Sequence, residues 1–258
     1  MIGDPLILLL LVVTFFGGAL INGLIGMGLA LVAVNVMANV MEPKSAVVIM
    51  SLIAPFLSSY QLRHNWSFIA GWARFRSLIV GSIAGSIVGA QLLVILPAWA
   101  IALALGLFTA QFVVDRMRRE RPALAHHTER RLAPVVGFVA GTTNSALGAS
   151  GPVMGSYLLA LGMRGREFAF GISIVFFVQA LIRMGSLAVL GQYTLPLAQL
   201  SLVLLWPALL GQYLGQRYQG RVKPANFQRV LLVVLLVSAA NMLIQGGRGM
   251  LVWLGIGL

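Results

Sequence analysis

The segment GTTNSALGASGPVMG, residues 141–155, determines how the whole chain is interpreted. It lies within an uncharged stretch that runs from Ala133 to Met163 and is interrupted by glycines and one proline. This stretch is too short for two full membrane crossings and too long for one, because one crossing needs about 20 residues. We therefore predict two short helices joined by an unwound turn at membrane depth, which is tolerated only where protein covers the turn or where the turn lines a cavity.

A second uncharged stretch, from Pro5 to Met41, has the same character, with the glycine-rich centre GGALINGLIGMG at residues 17–28. When the second half of the chain is aligned with the first at one constant offset, Asn22 falls on Asn144 and Gly26 falls on Gly148. A repeat of this kind indicates an internal duplication. We therefore predict that each half of the chain begins with a glycine-broken helical hairpin.

The composition indicates an integral membrane protein. Of the 258 residues, 59% are apolar and only 9% are charged, and the mean hydropathy is +0.95. Lipid must therefore be the main solvent of the fold. Besides the glycine-rich stretches, several apolar segments have the length of a regular transmembrane helix: Ser45–Leu62, Ser77–Leu96, Ala98–Val114, Phe168–Leu190, Leu195–Gly215 and Ala225–Gln245.

Basic residues set the predicted orientation and account for the formal net charge of +12. Lys and Arg concentrate in the cytoplasmic loops of membrane proteins. The longest polar interruption, Asp115–Pro134, is rich in arginine and is therefore predicted to be cytoplasmic: Arg116, Arg118, Arg119, Arg121, Arg130 and Arg131. We expect no nucleic acid partner, because the positive charge is already explained by the membrane orientation.

If all the basic loops lie on the cytoplasmic side, each half of the chain consists of one hairpin and three transmembrane helices. Because three is an odd number of membrane crossings, the second half must have the opposite orientation to the first. We predict an all-α integral membrane fold built as an inverted repeat, with a first membrane repeat over residues 1–114, a cytoplasmic basic loop over 115–134 and a second membrane repeat over 135–258. Inverted repeats with broken helices recur in secondary transporters, which bind substrate near the bilayer midplane where the repeats meet.

The two predicted turns are the candidate substrate site. A helix that begins at membrane depth presents free backbone N–H groups and the positive end of its dipole, which favour an anion, and glycine lets the backbone approach a ligand closely. The alternative is that the small residues serve only helix packing. The candidate residues are Asn22, Gly26, Met27 and Gly28 in the first turn, and Asn144, Ser145, Gly148, Ser150 and Gly151 in the second.

Arg183 is the one charged residue deep inside a predicted span. An ionisable residue at this depth is a functional candidate, here as the countercharge to a permeating anion. Gln179 lies one helical turn earlier on the same face and is included in the candidate site. The alternative is an arginine that extends toward the membrane surface or pairs with a backbone carbonyl.

Several further glycines are predicted to serve helix packing. Gly81, Gly85 and Gly89 are spaced four residues apart, as are Gly211 and Gly215. This small-xxx-small spacing is typical of helices in close contact.

An enzyme is the less favoured class. The sequence GASG, residues 148–151, is similar to the nucleophile motif of intramembrane serine proteases, but all three histidines, His64, His126 and His127, fall in predicted loops. A serine nucleophile needs a base within hydrogen-bond reach. Cysteine and a phosphate-binding P-loop motif are both missing from the sequence, so we expect no catalytic residue, no cofactor and no metal site.

Three stretches of the sequence resemble the TauE/SafE sulfite exporter family, also called the toluene sulfonate uptake permease group: GGALINGLIGMGLALVAVNV at residues 17–36, PKSAVVIMSL at 43–52 and GFVAGTTNSALGASGPVMGSYLLALGM at 137–163. The first turn departs from the pattern of the second, because no proline follows Gly28 as Pro152 follows Gly151. The resemblance implies a multi-pass permease with a duplicated core that handles sulfite, sulfonates or related organic acids.

The residues predict a secondary transporter of a small anion, and the resemblance implies that it is an exporter of a sulfur-containing anion such as sulfite or an organosulfonate. We expect it in the cell inner (cytoplasmic) membrane as a multi-pass protein. Its expected partners are a small anion (sulfite, a sulfonate or an organic acid) and the lipid bilayer, with protons and a second copy of the chain in a homodimer as further candidates. The alternatives are an anion channel and a membrane scaffold or assembly factor without flux.

Overall fold

A computed structural model describes residues 5–117, 126–148, 150–163, 165–219 and 225–255. In these ranges the chain is helical throughout, with one 3₁₀ segment at Trp66–Phe75. The α helices are α1 (Pro5–Ile25), α2 (Leu29–Val40), α3 (Pro43–His64), α4 (Arg76–Ile95), α5 (Ala98–Met117), α6 (His126–Leu147), α7 (Gly151–Ala160), α8 (Gly165–Val189), α9 (Leu195–Arg217) and α10 (Ala225–Trp253).

Six segments of the described residues are long and apolar enough to cross a bilayer: Pro5–Ile25, Pro43–His64, Trp66–Ile95, Gly165–Val189, Leu195–Arg217 and Leu235–Trp253. Their outer surfaces are apolar; for example, Val189 is 88% exposed and Trp206 is 74% exposed. A surface of this kind is stable only against lipid. The prediction of an all-helical, multi-pass membrane protein is therefore confirmed.

The two glycine-rich stretches differ from the prediction in the length of their first helices. We predicted pairs of short helices, but α1 has 21 residues and α6 has 22, and only α2 and α7, with 12 and 10 residues, are short. The predicted length of the first helix of each pair was therefore wrong. Inside a membrane every backbone group must find an internal partner, so helix persists through glycines that would weaken it in water.

The polar interruption predicted over Asp115–Pro134 is also largely helical where the structure describes it. Helix α5 continues to Met117, and α6 begins at His126 and runs through Pro134, while residues 118–125 lie outside the described ranges. The last helix likewise extends beyond the predicted end at Gln245 to Trp253. Helices can project past the hydrocarbon layer, where hydropathy no longer marks their ends.

Two helix pairs, α4 with α6 and α1 with α9, are in backbone contact through glycines. A Cβ atom on Gly85 would overlap the carbonyl group of Phe138, and one on Gly211 would overlap the carbonyl oxygen of Phe16. The other glycines of the small-xxx-small series meet neighbouring backbone in the same way. Their predicted role in helix packing is confirmed.

Helix α3 packs against both α8 and α9. Arg166 Nη2 donates to the carbonyl oxygen of His64 at 3.1 Å, near the start of α8 and the end of α3, so these two helices are antiparallel. Ser201 Oγ is 3.5 Å from the carbonyl oxygen of Ile49, and further along both helices Asn22 Nδ2 donates to Gln61 of α3 and to Gln212 of α9, so α9 runs parallel to α3. Their aligned ends bring Arg63, Arg166 and Arg217 to one end of the bundle, called here the basic face.

Substitution of Gly85 by alanine should destabilise the protein, because the added Cβ forces α4 away from α6. Overpacking of this kind typically costs about 1–3 kcal/mol. Thermal unfolding of the purified protein in detergent measures the effect. The matched control is Gly17→Ala in α1, where a Cβ meets no atom within 4 Å; equal melting temperatures for the two variants would contradict the close α4–α6 contact.

Candidate functional site

The turn between α1 and α2 depends on two glycines with left-handed backbone. Gly26 has φ 96° and Gly28 has φ 130°, values that residues with a Cβ rarely adopt. The turn is held from both sides, because Gly26 N–H donates to Asn22 O at 2.7 Å and Gln61 Nε2 donates to Gly26 O at 3.0 Å. The predicted break in the first hairpin is thus present at the predicted residues.

The turn between α6 and α7 has the same character and lies against the first hairpin. Gly148 has φ 73°, and a Cβ there would lie 2.7 Å from Val34 Cγ2 of α2. In the opposite direction, Met27 of the first turn packs on α7, since a Cβ on Gly155 would lie 2.6 Å from its Sδ atom. The two turns are therefore neighbours in the folded chain.

The two short helices begin at these turns without a side-chain cap. The N-cap of α2 is Gly28, which has no side chain, and that of α7 is Ser150, whose side chain makes no hydrogen bond to the backbone of α7. Ser150 Oγ instead donates to Gln179 Oε1 at 3.0 Å. The first N–H groups of a helix have no intrahelical acceptor, so both N-termini keep their donors and the positive end of their dipoles.

A cavity of about 80 Å³ lies between the two N-termini. Since one water needs about 10–15 Å³ of such space, the cavity has room for a solute of several non-hydrogen atoms. Most of its wall is apolar, with contributions from Phe112 and Phe176, and its polar residues are few: Asn22, Ser58, Gln61, Asn144, Ser150 and Arg183. An apolar cavity with a few converging polar groups is typical of a small-molecule site.

Arg183 provides the charge of this cavity and is only 1% exposed. Its Nη1 donates to Asn144 O at 2.7 Å and its Nη2 to Met50 O at 3.2 Å. The carbonyl of Asn144 is free to accept because it belongs to the last turn of α6. Arg183 Nε is buried without a hydrogen-bond partner, and no carboxylate among the described residues pairs with the guanidinium.

The structure brings most of the predicted site residues to this one wall: Asn22, Met27, Gly28, Asn144, Ser150, Gly151 and Arg183. The other candidates lie behind it. Gly26 and Gly148 form the turns, Gln179 holds Ser150, and Ser145 packs against Gly89 of α4. Arg183 donates to backbone carbonyls, as the alternative interpretation predicted, and it also lines the cavity.

Gln61 is a wall residue that the sequence analysis did not single out. It accepts a hydrogen bond from Asn22 Nδ2 at 3.3 Å and donates to the first turn. The available signal was the internal alignment, in which Gln61 falls on Arg183 at the same offset that pairs Asn22 with Asn144. Ser58, Phe112 and Phe176 gave no signal, because their types and spacing are common in transmembrane helices.

Replacing Gly148 by alanine should destabilise the second turn for two reasons that can be separated. Left-handed backbone costs a non-glycine residue about 1–2 kcal/mol, and the new methyl group also meets Val34. The control Gly162→Ala has the same backbone problem, with φ 78°, but no atom within 4 Å of the Cβ. Thermal unfolding should therefore show a larger loss for Gly148→Ala.

The double variant Gly148→Ala, Val34→Ala isolates the steric part. Removing the valine methyl groups should recover part of the loss caused by Gly148→Ala, whereas Val34→Ala alone should destabilise. Strict additivity of the two substitutions would contradict the contact between the second turn and α2.

Comparison with known proteins gives one family match. The family described as "Sulfite exporter TauE/SafE" matches residues 10–242, a range that includes both turns and the whole cavity wall. No curated protein and no solved structure matches the chain significantly. Among the described residues, no group of three His, Cys, Asp or Glu side chains could hold a metal ion.

Proposed function

This chain belongs to the TauE/SafE sulfite exporter family, and from that premise we propose that it is a secondary transporter that exports a small sulfur-containing anion, such as sulfite or an organosulfonate, across the cytoplasmic membrane. The observation that carries the proposal is the guanidinium of Arg183, buried on the wall of the cavity without a carboxylate partner among the described residues.

A buried cation without a counterion is costly, because the protein interior replaces little of the hydration that the charge loses. The two carbonyls that Arg183 contacts recover part of this cost. A bound anion would recover more, since hydrogen bonds between charged groups are the strongest in proteins. The uncapped N-termini of α2 and α7 add further positive potential on the same cavity.

The shape of these groups suits a sulfite or sulfonate. Such a group carries several oxygens that each accept hydrogen bonds, and the wall offers donors from different directions: the backbone N–H groups at the two helix starts and the amide of Asn144. The apolar part of the wall, including Phe112 and Phe176, suits a small organic substituent.

The position of the cavity supports loading from the cytoplasm. Along α3 the wall extends from Met50, beside Arg183, to Gln61, which lies three residues before the end of the helix at the basic face. At the end of α8 that lies away from the basic face, Tyr193 of the α8–α9 loop is joined to α3, with its OH 2.8 Å from Ser51 Oγ. The positive-inside rule assigns the basic face to the cytoplasm.

The proposed architecture is an inverted repeat of two halves in the inner membrane. Its support is the equivalence of contacts: α4 packs on α6 as α9 packs on α1, each through glycine, and α3 is antiparallel to its counterpart α8. Alternating access between two inverted halves around a central site is the mechanism that such a plan allows.

Arg183→Gln tests the role of the buried charge. We expect affinity for sulfite and for methanesulfonate to fall at least about tenfold, since one partner of a desolvated charge pair is lost. The stability of the protein without anion should change little, because the removal of an unpaired buried cation offsets the loss of its hydrogen bonds to Asn144 O and Met50 O. Anion-dependent thermal shifts measure both quantities, and Arg217→Gln, an exposed arginine of α9, is the control. Unchanged affinity would remove Arg183 from the site.

Flux measurements separate a carrier from the alternatives. In proteoliposomes a carrier should show saturable sulfite flux and counterflow, in which unlabelled anion on one side drives uptake of labelled anion against its gradient. An anion channel would show neither saturation nor counterflow. A scaffold would show no flux at all.

A further inference from the structure

A cluster of amide side chains lies beside the cavity, on the side of the basic face. Asn22 Nδ2 donates to Gln212 Oε1 at 2.8 Å and to Gln61 Oε1 at 3.3 Å. Asn22 and Gln61 belong to the cavity wall, whereas Gln212 lies behind them on α9. The cluster therefore connects the cavity to α9.

The outer members of this cluster have unused hydrogen-bonding groups. Among the described residues, Gln212 Nε2 has no hydrogen-bond partner, and neither Nε2 nor Oε1 of Gln216, one helical turn further on, has one. Both side chains are buried, with 0% of Gln212 and 6% of Gln216 exposed. Buried amide groups without a partner are rare in native proteins, because each one loses its hydrogen bonds to water without replacement. Here they lie together on one face of α9.

The amides of Gln212 and Gln216 lie between the cavity and the basic face. Helix α9 runs parallel to α3 and ends at Arg217, so the series from Asn22 through Gln212 to Gln216 leads from the cavity to the basic face. Gln212 and Gln216 are about 6 Å apart along the helix axis. The backbones of α1 and α9 touch at this point, since a Cβ on Gly23 of α1 would lie 2.6 Å from Gln212 O and 2.8 Å from Gln216 N. The amide of Gln212 extends past this contact to Asn22 on the cavity wall.

We infer that Gln212 and Gln216 form a second, uncharged binding station for the transported oxyanion, between the Arg183 cavity and the basic face; this inference rests on the proposed function. Their Nε2 groups donate to anion oxygens, and the Gln216 amide can turn either end toward the solute or its water. Neutral donors hold an anion less tightly than a guanidinium does. Weak binding at the station is needed for transport, because each site along the path must release the anion that it binds.

The natural absence of cysteine makes a labelling test direct. Gln216→Cys introduces the single thiol of the chain, and a membrane-impermeant thiol reagent should modify it from the basic face only. Saturating methanesulfonate, chosen because sulfite attacks thiol reagents, should slow the modification at least about threefold. The control is Leu210→Cys on the lipid-exposed side of α9, which should not react.

The same labelling in an Arg183→Gln background separates the station from the main cavity. Protection at Gln216→Cys should persist there at higher methanesulfonate concentrations, because Gln212, which this variant keeps, binds the anion without Arg183. Protection that disappears with Arg183, or a thiol that never reacts, would overturn the inference.

Flux provides a second, independent measurement. Gln216→Met keeps the size of the side chain and removes its polar groups, so the flux of sulfite should fall at least about threefold while the affinity measured by thermal shift stays within about twofold. If the wild type binds and transports sulfite and Gln216→Met transports it at the same rate, the inferred station is contradicted and the proposed function stands. If the wild type neither binds nor transports, the proposed function itself fails.

Discussion

The guanidinium of Arg183 imposes the constraint on which the site depends. A cation this deeply buried must be hydrogen-bonded in place, and its partners come from two different helices, at Asn144 of α6 and Met50 of α3. The Asn144 carbonyl is available only because α6 ends within one turn of it, at the glycine turn. The break in the second hairpin therefore does two things: it exposes the N-terminus of α7 and it frees an acceptor that fixes the arginine beside it.

Close helix packing fixes the depth at which the two turns face each other. Glycines let α4 contact the backbone of α6 and let α9 contact the backbone of α1. These contacts leave little freedom for α1 and α6 to slide, and both turns lie at the ends of those two helices. The contacts of Gly148 with Val34 and of Met27 with Gly155 then join the turns directly. Close packing of the helices therefore determines where the backbone N–H donors of α2 and α7 converge.

The sequence was informative where a residue type has only one physical use. Gly26, Gly28 and Gly148 were predictable as breaks because clustered glycines in an uncharged stretch allow backbone that other residues rarely adopt, and Arg183 because a charge in a span is expensive. The lengths of α1 and α6 were not predictable in this way, since helix in a membrane tolerates glycines such as Gly17 and Gly23. The surroundings of Gln61, Gln212 and Gln216 depend on how three helices meet, and local sequence patterns carry no such information.

The proposed duplication makes the difference between Gln61 and Arg183 meaningful. The two residues align, and both hold the hairpin of their own half, Gln61 through Gly26 O and Arg183 through Asn144 O. A second arginine in place of Gln61 would put two like charges on one small cavity of low dielectric constant, where their repulsion is strong. One cation and one amide preserve the support of both turns while placing the charge at one end of the cavity. Under the proposed function, the anion would bind off centre, on the Arg183 side, and the amide side of the wall, continued by Gln212, would make weaker contacts along its path.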